Sequence, residues 1–352
     1  MNILLYVAVI WVLIDLVYIM FKDKFEKMGI RLYYGIVLVA KKPFSPQARV
    51  FFRKISYIWI GLFVIALYFF YSTMVSSILV KYVVGSTTGT VQVLVPGVNI
   101  TGVDLLYFAL AVLTAALIHE LAHAYTARSY GLKTKNIGFA ILFFLPVAFV
   151  EIDEEELSQT SLKARIATLS AGPAVNFVVA LLFMVILPFL VNPYGLLIVD
   201  VVPDSLAAHY GLEPGDILLF INETPITVQK LHEYLSINRT TTIILQYYDS
   251  GMGRVRNISI IKPGNQTLLG VYLVPAPSMN LVRLLGITPA TAILKASTWI
   301  YIVNMSLAVL NAAPLFISDG GRIIYEISKK KEIGHIVNTI STIIIILAIL
   351  PL

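Results

Sequence analysis

TGVDLLYFALAVLTAALIHELAHAYTA, residues 101–127, is an apolar stretch long enough to cross a bilayer as one helix. It contains the pattern H-E-x-x-H as His119, Glu120 and His123. Residues four apart share one face of a helix, so both imidazoles can bind the same metal ion. In this pattern the two histidines bind zinc, and the glutamate activates the water that the metal binds. The stretch therefore predicts a hydrolytic zinc site at membrane depth.

The composition is that of a membrane protein. Hydrophobic residues make up 58% of the chain and charged residues 13%, whereas soluble domains carry about 25% charged residues. The chain has no cysteine, which excludes disulfides, thiolate metal ligands and a cysteine nucleophile. Its net charge is +6 at pH 7, but the basic residues lie mainly in loops beside apolar segments, where they set orientation. We therefore expect contact with the lipid bilayer and no nucleic-acid partner.

Six apolar segments predict six transmembrane helices in a polytopic α-helical membrane protein. The segments are residues 3–20, 55–81, 101–127, 166–191, 288–312 and 335–352. Nine Lys or Arg residues lie between positions 21 and 54, and such a loop is typical of the cytoplasmic side. The third segment then runs inward and ends among basic residues. We therefore expect His119 and His123 in its cytoplasmic half.

A further apolar stretch, residues 137–150, is too short to cross a bilayer and contains Pro146. It lies between Lys135 and the acidic run at positions 151–156. The pattern predicts a re-entrant segment that enters the membrane and returns on the same side.

Residues 196–275 have the character of a soluble module inserted between two spans. Residues 196–199 and 217–221 indicate strands, and residues 205–209 indicate a short helix that ends at Gly211. About eighty residues suffice for one small β-rich domain. Asn-x-Ser/Thr patterns, which are glycosylated only on an exported face, occur here and in no segment assigned to the cytoplasm. We expect the module on the exterior or lumenal side.

The chain is thus expected to have four parts. They are residues 1–81 with two N-terminal spans and the basic loop, residues 82–195 with the first part of the membrane core, residues 196–275 with the β-rich module, and residues 276–352 with the second part of the core.

A third metal ligand has to come from elsewhere, because catalytic zinc usually has three protein ligands and one open position for water. The richest candidate segment is Asn311-Ala312-Ala313-Pro314-Leu315-Phe316-Ile317-Ser318-Asp319-Gly320-Gly321, where a span ends. Asp319 would bring a carboxylate to the same depth as the two imidazoles. A turn or helix cap is the alternative role, since Asp-Gly is common in turns.

The order of these motifs resembles that of the site-2 protease family of intramembrane zinc metalloproteases. The motifs are His119-Glu120-x-x-His123, Gly172-Pro173-x-x-Asn176, the β-rich insertion, and Asn311-x-x-Pro314 followed by Asp319-Gly320. Residues 94–99 and 146–151 are similar to the branch that contains the sterol-pathway enzyme, and the two N-terminal spans fit that branch. The insertion resembles the PDZ domains of membrane and secreted proteases in residues 202–205, 211–218 and 221–223.

The resemblance implies a role for each motif residue. His119, His123 and Asp319 would hold one Zn²⁺ per chain, and Glu120 would act as general base on the zinc-bound water. Asn176 would hold the substrate or the developing oxyanion. For Asn176 the alternative is an interhelical hydrogen bond, which polar residues in spans often make.

The resemblance also implies an activity, which is cleavage of a peptide bond within or near a transmembrane segment of another membrane protein. The PDZ-like module would bind an extended peptide, such as a substrate ectodomain, by β-augmentation; the alternative is a generic β module with no ligand. We further expect the re-entrant stretch, from Phe143 to Val150, to pair with an unwound substrate as an added strand. Two other classes stay open: a zinc transporter with H-E-x-x-H in a span, and a non-catalytic membrane scaffold that uses the PDZ-like module.

Overall fold

The computed structural model describes residues 3–33, 37–86, 90–142, 145–328 and 330–350. The helices are α1 Ile3–Met20, α2 Lys22–Lys27, α3 Val50–Lys54, α4 Ser56–Tyr82, α5 Asp104–Ser129, α6 Glu154–Gln159, α7 Leu162–Leu190, α8 Leu206–His209, α9 Val228–Leu235, α10 Met279–Leu285, α11 Ile287–Ala312, α12 Asp319–Ser328 and α13 Lys331–Ile349. The strands are β1 Ile30–Tyr33, β2 Val37–Pro43, β3 Thr134–Leu142, β4 Leu145–Ile152, β5 Val191–Val201, β6 Ile217–Ile221, β7 Thr224–Pro225, β8 Thr241–Asp249, β9 Arg254–Lys262 and β10 Val271–Pro277.

Five helices within the described residues are long and apolar enough to cross a membrane, namely α4, α5, α7, α11 and α13. They cover the second to sixth predicted spans, and residues 351 and 352 of the last span lie outside the described part. The first predicted span coincides with α1. The part of α1 whose side chains the structure describes, Val9–Met20, is shorter than the five long helices. The chain is therefore an integral membrane protein, and the count of six spans stays a prediction.

The chain forms two compact units. One comprises Met1–Leu182 with Trp299–Leu352, and the other comprises Phe183–Thr298. The first unit holds the motif residues of the predicted metal site, and the second holds the β-rich insertion.

The first unit contains a four-stranded antiparallel sheet in the order β1-β2-β3-β4. Strands β3 and β4 form a hairpin from the stretch expected to be re-entrant, in which Gly138 pairs with Phe149. The chain therefore turns back through a pair of antiparallel strands. Hydrogen bonds between the neighbouring strands satisfy the backbone N–H and C=O groups. The other two strands come from the basic loop, where the sequence pattern predicted no strand. Phe143 lies outside the described residues.

Small residues let the helices of the first unit approach one another closely. Helix α5 buries Ala111, Ala115, Ala122, Ala124 and Ala127, and α7 buries a similar series around Gly172. Side chains without bulk allow helix backbones to come close, and dispersion contacts then hold the helices together without a hydrophobic driving force. The same closeness brings the polar groups of α5 and α7 into contact.

A cluster of buried apolar side chains joins α4, α7, α11 and α12. Its buried members are Phe63, Ala66, Leu169, Phe177, Ala308, Ala312 and Ile323. Helix α4 also packs against α13, where Lys81 donates to the backbone carbonyl oxygens of Ala348 at 2.7 Å and Leu350 at 2.6 Å. A lysine that satisfies the last carbonyls of a helix is a favourable C-terminal cap.

The second unit is a β-rich domain with the sheet order β10-β5-β6-β8-β9. Both strands expected at 196–199 and 217–221 are present as parts of β5 and β6, and the short helix α8 begins after Ser205. Ser205 accepts a hydrogen bond from the backbone N–H of Ala208, which is an N-cap. Gly211 has φ of 71° just beyond this helix, as a left-handed helix stop requires. The sheet extends over residues 191–277, beyond the boundaries expected from sequence.

Candidate metal centre

Three side chains of the first unit converge on one point. The Nε2 atoms of His119 and His123 are 3.0 Å apart, and Oδ2 of Asp319 lies 3.2 Å from the first and 3.3 Å from the second. Among the described residues, these three side chains form the one group of at least three possible metal ligands. Their ligand atoms all lie within 4.8 Å of one another. Both imidazoles are buried and the carboxylate is partly buried.

The helix geometry explains why the two imidazoles meet. His119 and His123 lie one turn apart on α5, on the face that packs against α7. On α7, Gly172 leaves the space that the imidazoles occupy. A β-carbon at Gly172 would lie 2.3 Å from Nε2 of His123 and 2.5 Å from Nε2 of His119. The glycine of the Gly172-Pro173 motif is therefore required by the site, because any side chain there would fill it.

Each imidazole has a hydrogen-bond partner at its other ring nitrogen. Nδ1 of His123 lies 2.7 Å from the backbone carbonyl oxygen of Thr168. A carbonyl only accepts, so Nδ1 carries the proton and the lone pair of Nε2 is available to a metal. Nδ1 of His119 lies 3.1 Å from the side-chain amide of Asn176. Such partners fix the tautomer and the ring orientation of metal-binding histidines.

Asn176 is fully buried on α7. Nδ2 is the atom placed next to His119, and Oδ1 has no hydrogen-bond partner among the described residues. Rotation of the amide by 180° exchanges the two atoms without changing the shape of the side chain. Metal binding through Nε2 of His119 requires Nδ1 to donate, so the amide oxygen faces the imidazole in the metal-bound state.

Asp319 is positioned by the start of α12. The hydroxyl group of Ser318 accepts a hydrogen bond from the backbone N–H of Gly321 at 3.0 Å and so caps this helix. A β-carbon at Gly320 would lie 2.2 Å from the carbonyl oxygen of Ala312, so the glycine lets the helix begin directly against the end of α11. The Asp-Gly-Gly sequence is thus a helix start in which Asp319 occupies the first turn.

Glu120 lies beside the three ligands and faces strand β4. Its Oε2 accepts a hydrogen bond from the backbone N–H of Val150 at 2.8 Å. Glu120, His123 and Asp319 line one cavity of about 610 Å³, together with Val150 and Thr168. The cavity gives the carboxylate of Glu120 and the metal ligands access to the same space, where a water molecule and a substrate can meet.

Ion pairs hold the end of β4 and the segment that follows it. Glu151 pairs with Lys41 at 2.9 Å, Asp153 with Lys135 at 2.9 Å and Glu156 with Lys133 at 2.8 Å. The hydrogen bond from its lysine is the largest cause that lowers the pKa of each carboxyl group below its ordinary value.

The donor set fits zinc. Two imidazole nitrogens and one carboxylate oxygen are ligands that Zn²⁺ accepts, and three protein ligands leave one position open for water. With bonds of about 2.0–2.1 Å, the ligand atoms of a tetrahedral zinc site are separated by roughly 3.3 Å. The separations of 3.0, 3.2 and 3.3 Å are close to this value. The glycine next to the imidazoles leaves the room that an ion needs.

The structure brings together all five residues that were predicted from sequence. His119, His123 and Asp319 form the ligand triangle, and Glu120 lines one cavity with His123 and Asp319. Asn176 contacts the back of His119, a contact that matches the alternative of an interhelical hydrogen bond.

Three further groups were not identified from sequence: the carbonyl of Thr168, the N–H of Val150 and the hydroxyl of Ser318. Backbone groups carry no residue-type signal, whereas Ser318, three residues before Gly321, has the spacing of a helix N-cap.

Comparison with known proteins assigns the membrane core to a family. The model of peptidase family M50 matches residues 107–351, which includes all five candidate site residues.

Curated relatives are found in several organisms. An uncharacterized protein of Methanocaldococcus jannaschii is 31% identical over 214 residues, which are 60% of this chain and 54% of the relative. A protein of Neisseria meningitidis with the name "putative zinc metalloprotease" is 30% identical over 151 residues, 35% of this chain and 34% of the relative. One of Campylobacter jejuni with the same kind of name is 26% identical over 185 residues, 44% of this chain and 50% of the relative. The chain thus spans about half or less of the length of these relatives.

Proposed function

Because the chain belongs to peptidase family M50, we propose that it is an intramembrane zinc metalloprotease, which hydrolyses a peptide bond within or near a transmembrane segment of another membrane protein. The observation that carries the proposal is the convergence of His119, His123 and Asp319 next to Glu120, with both histidines on a helix long and apolar enough to span a membrane. A soluble protease would not need its metal ligands on such a helix.

Peptide hydrolysis in a membrane needs water, a base and an accessible carbonyl group. Zinc, when bound, lowers the pKa of its water to about 7 and polarises the substrate carbonyl. Glu120 would be the base that takes a proton from the attacking water and passes it to the leaving amine. The carbonyl of Thr168 and the amide of Asn176 hold the two imidazoles with their Nε2 atoms toward Asp319.

Strand β4 is the element best suited to hold an unwound substrate. It is the edge of its sheet, next to α5. The N–H of Val150 points away from β3, because it donates to Glu120. N–H groups alternate sides along a strand, so the N–H of Ala148 points to the same edge of β4 as the N–H of Val150. A substrate strand that pairs there would lie beside the general base.

Two finer features complete the proposal. The abundance of Lys and Arg between α1 and α4 supports a catalytic site toward the cytoplasmic side, with the β-rich domain on the exterior or lumenal side. In that domain β9 and β10 are the long edge strands of the sheet, and the two-residue β7 pairs with β6 beside that order. An extended peptide can add to a sheet only at an edge, so the PDZ-like docking of a substrate would use one of these strands.

A zinc transporter needs a path with several metal sites. Within the described parts of the chain, His119, His123 and Asp319 form the one group of at least three possible ligands. No observation favours transport or a purely scaffolding role over proteolysis.

The test compares the purified full chain with its Glu120→Ala variant on a model substrate that has one transmembrane helix, reconstituted in vesicles. We expect cleavage by the wild type, loss of cleavage in the variant, and equal zinc content in both. Glu332→Gln, an exposed acidic residue on α13, is the matched control and should cleave as the wild type does. Equal cleavage by wild type and Glu120→Ala would contradict the assignment, and zinc flux into vesicles without cleavage would identify a transporter.

A further inference from the structure

A charged cavity lies where the first helix ends, away from the metal centre. It has a volume of about 700 Å³ and is formed by α1, α2 and β1. Four residues with charged side chains line it: Asp15, Lys22, Glu26 and Arg31. Two of them are acidic and two are basic. A cavity lined by both signs of charge suits a ligand that also carries both.

Asp15 is the unusual member of this set. It lies in an otherwise apolar helix, and its Oδ1 atom is buried without a hydrogen-bond partner among the described residues. A carboxylate in such surroundings is costly unless a cation or a hydrogen-bond donor compensates. The side chains of Lys22 and Arg31 have no ion pair or hydrogen bond within the described part of the chain. The cavity is therefore lined by a carboxyl group with one unsatisfied oxygen and by two cationic side chains that have no described partner.

An apolar cavity of about 380 Å³ adjoins the charged one. Its lining is entirely apolar in surface and includes Leu13, Ile14, Phe25 and Leu38. Tyr18 lines both cavities, and its hydroxyl group donates to Oε1 of Glu26 at 3.4 Å. Tyr18 thus separates a charged compartment from a hydrocarbon-like one, and together they match an amphiphile with a zwitterionic head and a long apolar chain.

We propose that these two cavities bind one phospholipid whose headgroup carries a primary amine, such as a phosphoethanolamine lipid. The ammonium group donates hydrogen bonds to Asp15, and the phosphate oxygens accept hydrogen bonds from Lys22 and Arg31. One acyl chain lies in the apolar cavity beside Tyr18. The site is at the end of a helix predicted to span the membrane, the depth at which lipid headgroups lie.

The primary amine is the distinguishing feature of the ligand. An ammonium group has three N–H donors, whereas the quaternary ammonium of a phosphocholine lipid has none and is bulkier. Hydrogen bonds to charged groups contribute about 1.5–3 kcal/mol, and about 1.4 kcal/mol corresponds to a tenfold change in affinity. Asp15 should therefore favour the ethanolamine headgroup by roughly tenfold or more.

The experiment uses the purified full chain in bicelles that contain equal amounts of phosphatidylethanolamine and phosphatidylcholine with identical acyl chains. Native mass spectrometry then counts the lipids that the protein retains. We expect the wild type to retain phosphatidylethanolamine roughly tenfold more often, and Asp15→Asn to retain both lipids equally. The double variant Lys22→Gln/Arg31→Gln should retain less of both.

Lys24→Gln is the matched control, because Lys24 is exposed on the same helix as Lys22 and does not line the cavity. It should behave as the wild type does. Leu13→Trp, which fills the apolar cavity, should reduce retention of both lipids and tests the site without changing a charge. Equal retention of the two lipids by the wild type would overturn the proposal, as would an unchanged preference in a folded Asp15→Asn variant. Displacement of the bound lipid by soluble phosphoethanolamine, with lipid retention unchanged in Leu13→Trp, would show that the site binds the headgroup alone and would overturn the phospholipid as ligand.

Discussion

Gly172 of α7 lies directly against His123 of α5, so closely that a β-carbon at Gly172 would be 2.3 Å from the Nε2 atom of the imidazole. The two helices therefore share one volume, which only a residue without a side chain leaves open to a metal ion. The relationship ties two sequence motifs, H-E-x-x-H and Gly-Pro-x-x-Asn, to one site.

Gly172→Ala should abolish zinc binding. Its methyl group would occupy the space next to both Nε2 atoms, so we expect zinc content near zero and a loss of cleavage of more than about 100-fold. Metal analysis of the purified variant is the measurement. Gly61→Ala is the matched control, since a β-carbon at Gly61 in α4 meets nothing within 4 Å. Full zinc content in Gly172→Ala would show that α5 and α7 are farther apart than the structure places them.

Asn176→Leu should weaken zinc binding rather than act only on the reaction. The change removes the hydrogen bond to Nδ1 of His119, and loss of such a partner typically lowers metal affinity 10- to 100-fold. Asn176→Asp keeps an acceptor and should retain zinc. Competition with a chelator measures the affinity. If Asn176 instead holds the substrate or the oxyanion, Asn176→Leu will keep normal zinc affinity and lose kcat alone.

Ala148→Pro tests whether a substrate strand pairs with the edge of β4 that faces away from β3. Proline removes the N–H that points away from β3, and the preceding residue is already extended, as proline requires. One lost backbone hydrogen bond to the substrate corresponds to roughly a two- to tenfold decrease in cleavage. Zinc content should not change. Ala148→Gly retains the N–H and is the control, so equal cleavage by the proline variant and the glycine variant would refute strand pairing at this position.

Strand β4 and the helix α6 that follows it should lose local stability in acid. The pKa values of Glu151, Asp153 and Glu156 are lowered in the folded protein, so the stabilisation is complete above the ordinary values of 4.5 for Glu and 3.8 for Asp. It is lost as the pH falls through the lower folded values. Hydrogen exchange, corrected for its intrinsic pH dependence, should show less protection of residues 145–159 below about pH 4.

Two comparisons check the cause of this loss. Lys41→Gln should raise the pH at which protection is lost near Glu151, whereas Lys27→Gln, an exposed lysine of α2, should not. Protection that stays constant from pH 6 to pH 3 would show that the ion pairs contribute nothing to the segment.

The periodic and compositional features were largely predictable. Long apolar runs gave the positions of α4, α5, α7, α11 and α13 to within a few residues, because burial in lipid demands continuous hydrophobicity. Strands β1 and β2 were not predicted, since the basic loop that contains them has little apolar alternation. Strand β2 pairs with β3, which lies about a hundred residues away in sequence, and β1 pairs in turn with β2.

The sequence by itself determined which side chains make up the candidate metal centre: two imidazoles one helical turn apart, the carboxylate of Glu120 between them in sequence, and Asp319 before two glycines. Local spacing suffices for these because a helix places residues i and i+4 on one face. Only the tertiary structure decided which groups complete the site. The carbonyl of Thr168 and the N–H of Val150 meet α5 through packing between elements far apart in the chain, and no residue-type pattern encodes such backbone contacts. The motif that contains Gly172 and Asn176 was recognised in the sequence, but the packing of α7 against α5 decided what these two residues contact.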